Sequence, residues 1–431
     1  MIVLFMVSIL YSAICAFCFF SALSIPNMAV IVWCLLSNIM LLIHNNWKVV
    51  FNKFSIVYLE WIVLFIVLSL YSTISSFGVI RYNSIVILLS LLGLFLSYCS
   101  DKISVNVLIN IIVVFSIISF SYLFLEILIR ERALLPLAFV FDETALTNEL
   151  VRCKIGVGFR GLAEFPNVLS LAAGILFWYS LFIMDKDFKR KIILIVSVVI
   201  VALTGERSNA ILIPLTSIIV YFMFDNRHKL IIIVRVIAIL ALMILVAYLS
   251  RDYLIKFNFF NRLYNTAILY FSGEDISTGR TNLYSTAISQ WKKHPFVGNG
   301  WFYFYYNNRG ILGRDTYVHV HNVILELLCD TGIIGTILYS IPIAVPIIQN
   351  IKAIVIDDGK YKSKLCFTLA AQLFYVTDSM LHVTLYSINM IPMYFAFIII
   401  FTTIFKQQDR YLASKDRNNY HLYWRDNNGL H

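Results

Sequence analysis

The sequence has little charge for its length. Asp, Glu, Lys and Arg make up 13% of its 431 residues, whereas hydrophobic residues make up 60%, and the mean hydropathy is +0.82. Soluble domains carry roughly 25% charged residues, so this composition excludes an ordinary soluble protein. It predicts an all-α, polytopic integral membrane protein, because a helix satisfies its own backbone groups within lipid.

Other features are also absent. The sequence contains no P-loop motif, so an ATP site of that kind is not expected. The net charge of +10 is distributed between apolar segments rather than over a basic soluble domain, so no nucleic-acid partner is expected. Cys15 and Cys18 form a C-x-x-C inside an apolar run without a base or metal partner, which indicates inert thiols. Only Cys153 falls in an outer loop, so no disulfide within a loop is expected.

Long apolar runs fill most of the chain. A helix needs about 20 apolar residues to cross a bilayer, and about twelve segments are candidates. They are Ile2–Ala22, Asn27–Ile43, Ile56–Ser75, Asn83–Cys99, Val105–Leu128, Pro166–Met184, Ile192–Thr204, Ala210–Phe224, Leu230–Leu249, Val323–Ile348, Leu365–Leu381 and Ser387–Phe405. The first lacks a basic leader and is expected to be a retained helix. Gly205, Glu206 and Arg207 predict a tight turn between two short spans.

Basic residues in the short loops fall mostly on one side of the predicted bundle. Lys48, Lys102, Arg190, Lys229 and Lys352 lie in alternate loops, and the positive-inside rule makes that side cytoplasmic, with both termini there. The predicted organisation is spans one to nine in 1–249 with an outer loop at 129–165, a long outer loop at 250–320, spans ten to twelve in 321–405, and a cytoplasmic tail at 406–431.

The two long outer loops are rich in arginine. These residues are Arg130, Arg132, Arg152, Arg160, Arg251, Arg262, Arg280, Arg309 and Arg314. The planar guanidinium presents a fork of donors that matches phosphate, so the outer surface suits a phosphate-bearing ligand that arrives in the membrane. The alternative is that these side chains bind lipid headgroups.

The second long loop contains a periodic segment. Leu283, Ala287, Ile288 and Trp291 recur at helical spacing, which predicts an amphipathic helix over Thr281–Lys293 on the membrane surface. Arg280 stands at its start, where backbone N–H groups favour an anion. Farther on, Trp301–Tyr306 form an aromatic wall that either stacks on sugars or anchors the loop at the headgroup layer.

Polar residues mark the entry to the tenth predicted span. His319 and His321 lie at its outer mouth, where an imidazole can act as a general base. Asn322, Glu326 and Asp330 then recur every four residues and predict a polar stripe facing the bundle interior. The stripe indicates either a functional cavity or an inert packing network. Gly332 and Gly335 are expected to let this helix pack closely on a neighbour.

Two further clusters lie on the same predicted face. The segment GFRGLAEFPN, from Gly158 to Asn167, places Arg160 just before a span. The segment GERSN, from Gly205 to Asn209, places Arg207 in the tight turn. Because two helices hold that turn near the membrane surface, the guanidinium is expected to be rigidly placed for phosphate binding; the alternative is a merely solvated charge.

The order of these motifs resembles the bacterial O-antigen polymerase and O-antigen ligase superfamily. The resemblance covers roughly Gly158–Gly335 and includes the Arg-Gly and Phe-Pro-Asn motifs, the Gly-x-Arg-Ser turn, Pro-x-x-Gly-x-Gly, and His-Asn-x-x-Leu-Glu followed by Gly-x-x-Gly. It implies a glycosyltransferase without metal or cofactor, acting at the periplasmic face of the inner membrane. Its expected donor and acceptor are undecaprenyl-diphosphate-linked oligosaccharides, with membrane lipid and a chain-length regulator as further partners.

The resemblance also implies roles for individual residues. Arg207 and Arg280, joined by Arg160, would hold the diphosphate, and His321 would activate the acceptor hydroxyl. His319 is an alternative base, and Asn322 and Glu326 would support the site.

Two alternatives to a polymerase remain open. The segments PFVGNG (Pro295–Gly300) and FPN (Phe165–Asn167) favour a polymerase. The paired histidines of the segment VHVHN (Val318–Asn322) also resemble those of ligases, which transfer polymer to lipid A core. A transporter or flippase for the same lipid-linked sugar is less favoured, because the halves show no repeat and the polar clusters share one face.

Overall fold

A computed structural model describes the ranges 53–74, 105–129, 158–224, 279–311 and 318–428, except positions 162, 164–165, 186, 383 and 387–389. It also describes scattered positions within 35–43, 92–95 and 261–272. Every regular element in these ranges is helical, which confirms the all-α prediction for this part of the chain.

The helices are numbered in chain order. They are α1 (Lys53–Ile74), α2 (Val105–Ile129), α3 (Pro166–Trp178, continued by a π-helix at Tyr179–Ile183), α4 (Phe188–Thr204), α5 (Arg207–Phe224), α6 (Arg280–Trp291), α7 (Tyr303–Asn307), α8 (Val323–Ile356), α9 (Lys362–Ser379) and α10 (Ile391–Asn428).

Among the described helices, three are long and apolar enough to cross a membrane. They are α2, α3 with its π-helical extension, and α8. Shorter apolar stretches run over Ile56–Tyr71 and Arg207–Met223. The predicted spans Ile2–Ala22 and Leu230–Leu249, and most of Asn27–Ile43 and Asn83–Cys99, lie outside the described residues. The total of about twelve spans and the orientation stay predictions.

Much of the two predicted outer loops also lies outside the described residues. That part contains Arg130, Arg132, Arg152, Arg251, Arg262, Arg314 and Cys153, and Cys15 and Cys18 of the first predicted span are likewise not described. The described loop residues relevant to the site are those around Arg160 and from Gly279 onward.

Helix α9 lies at the centre of the bundle. Its residues 365–372 are all buried, and it packs against α5, α8 and α10. Phe374 lies 5.4 Å from Trp178 of α3, and Tyr375 lies 5.5 Å from Tyr394 of α10, measured between ring centroids. This packing fixes the carboxyl end of α9, where Asp378 lies, against the other helices.

Helix α8 is broken at Gly332. This residue has φ 65° and ψ −171°, outside the helical region, and an ideal Cβ there would lie 2.3 Å from the Phe296 carbonyl oxygen. Gly300 N donates to the Asp330 carbonyl (2.7 Å), and Ile333 N donates to the Pro295 carbonyl (2.9 Å). The close approach expected at Gly332 is therefore present, but the neighbour is the loop at Phe296, which also satisfies the interrupted backbone.

The predicted aromatic wall is largely part of the core. Trp301, Phe302 and Phe304 are buried, and Trp301 stacks on Tyr386 at 5.1 Å between centroids. These rings are therefore unavailable to sugars or lipid headgroups. Their partner Tyr386 is far away in sequence, so local sequence could not reveal the burial.

Helix α10 continues well beyond its apolar half into the predicted cytoplasmic tail. Nε2 of Gln408 donates to Oδ1 of Asp357 (2.9 Å), and Nζ of Lys415 lies 3.1 Å from Oδ2 of Asp358. The start of the tail is thus attached to the turn between α8 and α9.

Candidate active site

The VHVHN segment is held in place by Glu326. This carboxylate lies on the first turn of α8 and is fully buried. Its Oε2 accepts a hydrogen bond from Val320 N (3.0 Å), and its Oε1 lies 2.5 Å from Nδ1 of His319. The His319 ring also stacks on Tyr305, with centroids 4.4 Å apart. Glu326 therefore fixes the backbone just before His321.

Asn322 and an unusual backbone angle complete the placement of His321. The Asn322 side chain caps α8 by accepting a hydrogen bond from Leu325 N (3.1 Å), as expected of an N-cap asparagine. His321 has φ 59°, in the left-handed region that non-glycine residues seldom adopt and that occurs at functional sites when surrounding contacts enforce it. The chain thus turns sharply at the imidazole.

His321 is a neutral imidazole at physiological pH. Burial, which has the largest effect, the positive charge of Arg280 and the smaller effects of His319 and His382 together lower its pKa to about 4. Its Nδ1 is buried and has no hydrogen-bond partner among the described residues. A neutral ring with an unused nitrogen can accept a proton.

Arg280 begins helix α6, as the sequence predicted. The helix spans Arg280–Trp291, and Gly279 precedes it with φ 87°. Leu283 and Ala287 are buried in a cluster with Val320 and Cys329, so this part of the apolar face packs on α8 rather than against lipid. That contact places the Arg280 end of α6 beside the VHVHN segment.

A further imidazole, that of His382, was not identified from the sequence. Nδ1 of His382 lies 2.8 Å from Oδ1 of Asp378, and the Thr384 hydroxyl donates to the other oxygen of that carboxylate. Burial lowers the pKa of His382, but the hydrogen bond and charge of Asp378, with a contribution from Glu206, outweigh this effect, so the pKa is raised. The sequence signal that could have identified this pair was the spacing of four residues between Asp378 and His382 at the end of an apolar span.

His382 lies within electrostatic reach of the predicted site residues. The charge of Arg280 acts on the pKa of His382 as well as on that of His321. Nδ2 of Asn322 also donates to the Met380 carbonyl (3.4 Å), which connects the start of α8 with the turn after α9. The two imidazoles and Arg280 therefore form one electrostatic cluster.

The tight turn before Arg207 is confirmed. Helix α4 ends at Thr204 and α5 begins at Arg207, so two helices hold this partly exposed arginine. Asn209 is buried and donates to the Asn167 carbonyl (3.3 Å) and to the Ser170 hydroxyl. The GERSN and FPN motifs are thus locked together, and Glu206 brings this turn within electrostatic reach of His382.

Arg160 differs from the other two predicted phosphate ligands. Its side chain is 4% exposed, whereas Arg207 and Arg280 are partly exposed. The backbone N–H groups of Arg160 and Gly161 donate to the buried Glu126 carboxylate on α2 (3.2 and 2.8 Å to Oε2). Arg160 therefore lies in a loop that is anchored from within the bundle.

The polar stripe on α8 serves largely as a packing network. Oδ1 of Asp330 accepts from Phe304 N (2.9 Å), and the Tyr386 hydroxyl donates to Oδ2. The Tyr386 oxygen in turn accepts from Phe302 N (3.1 Å). Glu326 and Asp330 thus hold two loop segments by their backbones, and the polar groups left for chemistry are the imidazoles and arginines above them.

Comparison with known proteins gives one family match. Residues 192–340 match the family model described as O-antigen ligase, a region that contains Arg207, Arg280, His319, His321 and Glu326 but neither Arg160 nor His382. No curated protein matches the chain. Within the described residues, no group of three or more His, Cys, Asp and Glu side chains could hold a metal ion. The match confirms, for residues 192–340, the relationship to the O-antigen polymerase and ligase superfamily that the motifs predicted.

Proposed function

We propose that this protein is a polysaccharide repeat-unit polymerase at the periplasmic face of the inner membrane. It transfers glycan from undecaprenyl diphosphate to a sugar hydroxyl of a second lipid-linked repeat unit. The observation that carries the proposal is the neutral His321, with its unused Nδ1, beside the positive charge of Arg280. A base and a phosphate-binding cation are the two groups that such a transfer needs.

His321 is the proposed base. The acceptor oxygen attacks the anomeric carbon while its proton passes to the imidazole, and the bond from that carbon to the diphosphate oxygen breaks with its electron pair on the leaving group. With a pKa of about 4, the ring of the free enzyme is unprotonated and can accept a proton, but it is a weak base. A diphosphate bound at Arg280 would offset the positive charge and raise that pKa, so the base would strengthen when donor is present.

Arg280 and Arg207 are the proposed diphosphate ligands. Negative charge builds on the leaving group in the transition state, and fixed guanidinium groups stabilise it without reorganising. Arg280 is fixed by the packing of α6 on α8, and Arg207 by the turn between α4 and α5. Arg160 has its side chain inside the bundle, and we assign it a supporting position.

The family description favours a second candidate, an O-antigen ligase that transfers finished polymer to lipid A core. The two activities give different glycans in a strain that lacks the protein. Loss of a polymerase leaves a single repeat unit on lipid A core, whereas loss of a ligase leaves bare core and polymer on the lipid carrier. Bare core with polymer on the lipid carrier would show that the protein is a ligase rather than a polymerase.

The break in α8 is a feature that transporters also show, since their substrate sites often lie at discontinuous helices. Here the carbonyls of Cys329 and Asp330 accept hydrogen bonds from Asn299 and Gly300 N–H groups (3.1 and 2.7 Å). The loop thus uses these groups at the break, which favours a structural role for it. The cluster of Arg280, His321 and His382 is built from the starts of α6 and α8 and the turn after α9 rather than from the break, and it is better suited to group transfer.

A further inference from the structure

The pair of Asp378 and His382 has no role in the mechanism described so far, although it lies beside the proposed reaction centre. Its carboxylate is buried, and the His382 side chain is 17% exposed. The pair therefore has one buried member that fixes the ring and one member with an accessible edge. Such an arrangement orients an imidazole toward a ligand.

The surroundings of His382 determine its charge. The charged and titratable groups that act on it are Asp378 on its own segment, Glu206 in the turn before α5, Arg280 at the start of α6 and His321 at the start of α8. Asp378 is the direct partner, at 2.8 Å, and its second oxygen is held by Thr384. The ring is therefore an imidazolium over a wider pH range than an ordinary histidine, because its pKa is raised.

The pKa values of the two imidazoles are thus shifted in opposite directions. His321 lacks a carboxylate partner among the described residues and is neutral, whereas His382 has Asp378 and Glu206 nearby. Two titratable groups at one site whose pKa values are shifted in opposite directions commonly have different roles in catalysis. A neutral ring suits a base, and a charged ring suits an anion.

We propose that His382 is a third cation of the diphosphate site, held by Asp378 and donating from its accessible edge to the leaving group alongside Arg280. This inference rests on the proposed function for the identity of the anion. A charged donor directed at a phosphate oxygen gives a short, strong hydrogen bond. The donor transfers no proton in the step, and only the strength of diphosphate binding depends on it.

The test is binding of undecaprenyl diphosphate to the purified full-length protein in detergent, measured against pH. Because a hydrogen bond from a charged group is worth more than one from a neutral group, His382→Gln should weaken binding about tenfold near neutral pH. Wild-type affinity should fall as the pH rises through the raised pKa, since the imidazolium is lost there. His382→Lys should keep its affinity at that pH, and Asp378→Asn should shift the fall to lower pH. His294→Gln, at an exposed histidine after α6, is the matched control.

Two results would overturn the proposal. One is an unchanged affinity and pH profile in His382→Gln. The other is equal weakening in His382→Gln and His382→Lys with no difference in pH dependence, which would indicate a merely structural role. Since binding is measured without turnover, these results are distinct from a failure of the proposed function, in which wild-type protein binds the lipid but makes no product from lipid-linked repeat units.

Discussion

Nδ1 of His319 lies 2.5 Å from Oε1 of Glu326, and the other oxygen of that carboxylate accepts the N–H of Val320. One buried side chain thus holds the two residues before His321. The same carboxylate was predicted from sequence as part of an interior polar stripe, and the structure gives it a positioning role.

Glu326→Ala should therefore reduce transfer activity strongly without removing any group that contacts substrate. It leaves the Val320 N–H without a partner, which destabilises the fold by about 1–3 kcal/mol. Glu326→Gln retains an acceptor for that N–H and should lose less stability, although it removes the charge beside His319. Thermal unfolding in detergent and initial rates measure the two effects. Ser289→Ala, at an exposed serine of α6, should change neither, and wild-type activity in Glu326→Ala would contradict the positioning role.

The break in α8 predicts a contrast between two glycines. Gly298 and Gly310 have similar φ angles of 70° and 82°, but an ideal Cβ at Gly298 would lie 2.3 Å from the Asp330 carbonyl oxygen, whereas Gly310 has open space. Gly310→Ala should reduce the stability of the fold by about 1–2 kcal/mol, because alanine disfavours the left-handed backbone conformation. Gly298→Ala should reduce the stability distinctly more, because the new Cβ forces the loop away from the helix. Thermal unfolding of both variants tests this, and equal losses would contradict the close contact.

The turn at Gly205 and the helix over Arg280–Trp291 could be predicted because their signals are local. A polar pentapeptide interrupts apolar runs in the first, and apolar residues recur at helical spacing in the second. The break at Gly332 and the burial of Trp301 could not be predicted, because their partners, Phe296 and Tyr386, are brought in by tertiary packing. The pair of Asp378 and His382 was not predicted, because both residues lie at the end of an apolar span, where polar residues are expected as the helix leaves the membrane.

The low pKa of His321 predicts the acid side of the pH profile. A base must be neutral to act, and a pKa of about 4 keeps the free ring neutral throughout the range above pH 5. The value of kcat/KM, which reports groups of the free enzyme, should therefore show no decline from His321 between pH 7 and about pH 5. A decline centred near 6.5, the pKa of an ordinary histidine, would mean that His321 is not buried beside Arg280.

The central claim is that Arg207, Arg280 and His321 form one glycosyl-transfer site. The most direct measurement is the reaction of purified protein in detergent with defined lipid-linked repeat units, where no compartments exist and transport yields no product. Wild-type protein and Arg309→Ala, an exposed arginine of the same loop region, should lengthen the lipid-linked oligosaccharide. Arg207→Ala, Arg280→Ala and His321→Ala should each abolish product at unchanged membrane levels. Near-normal chain formation in two of these three variants, or no lengthening by wild-type protein, would contradict the account.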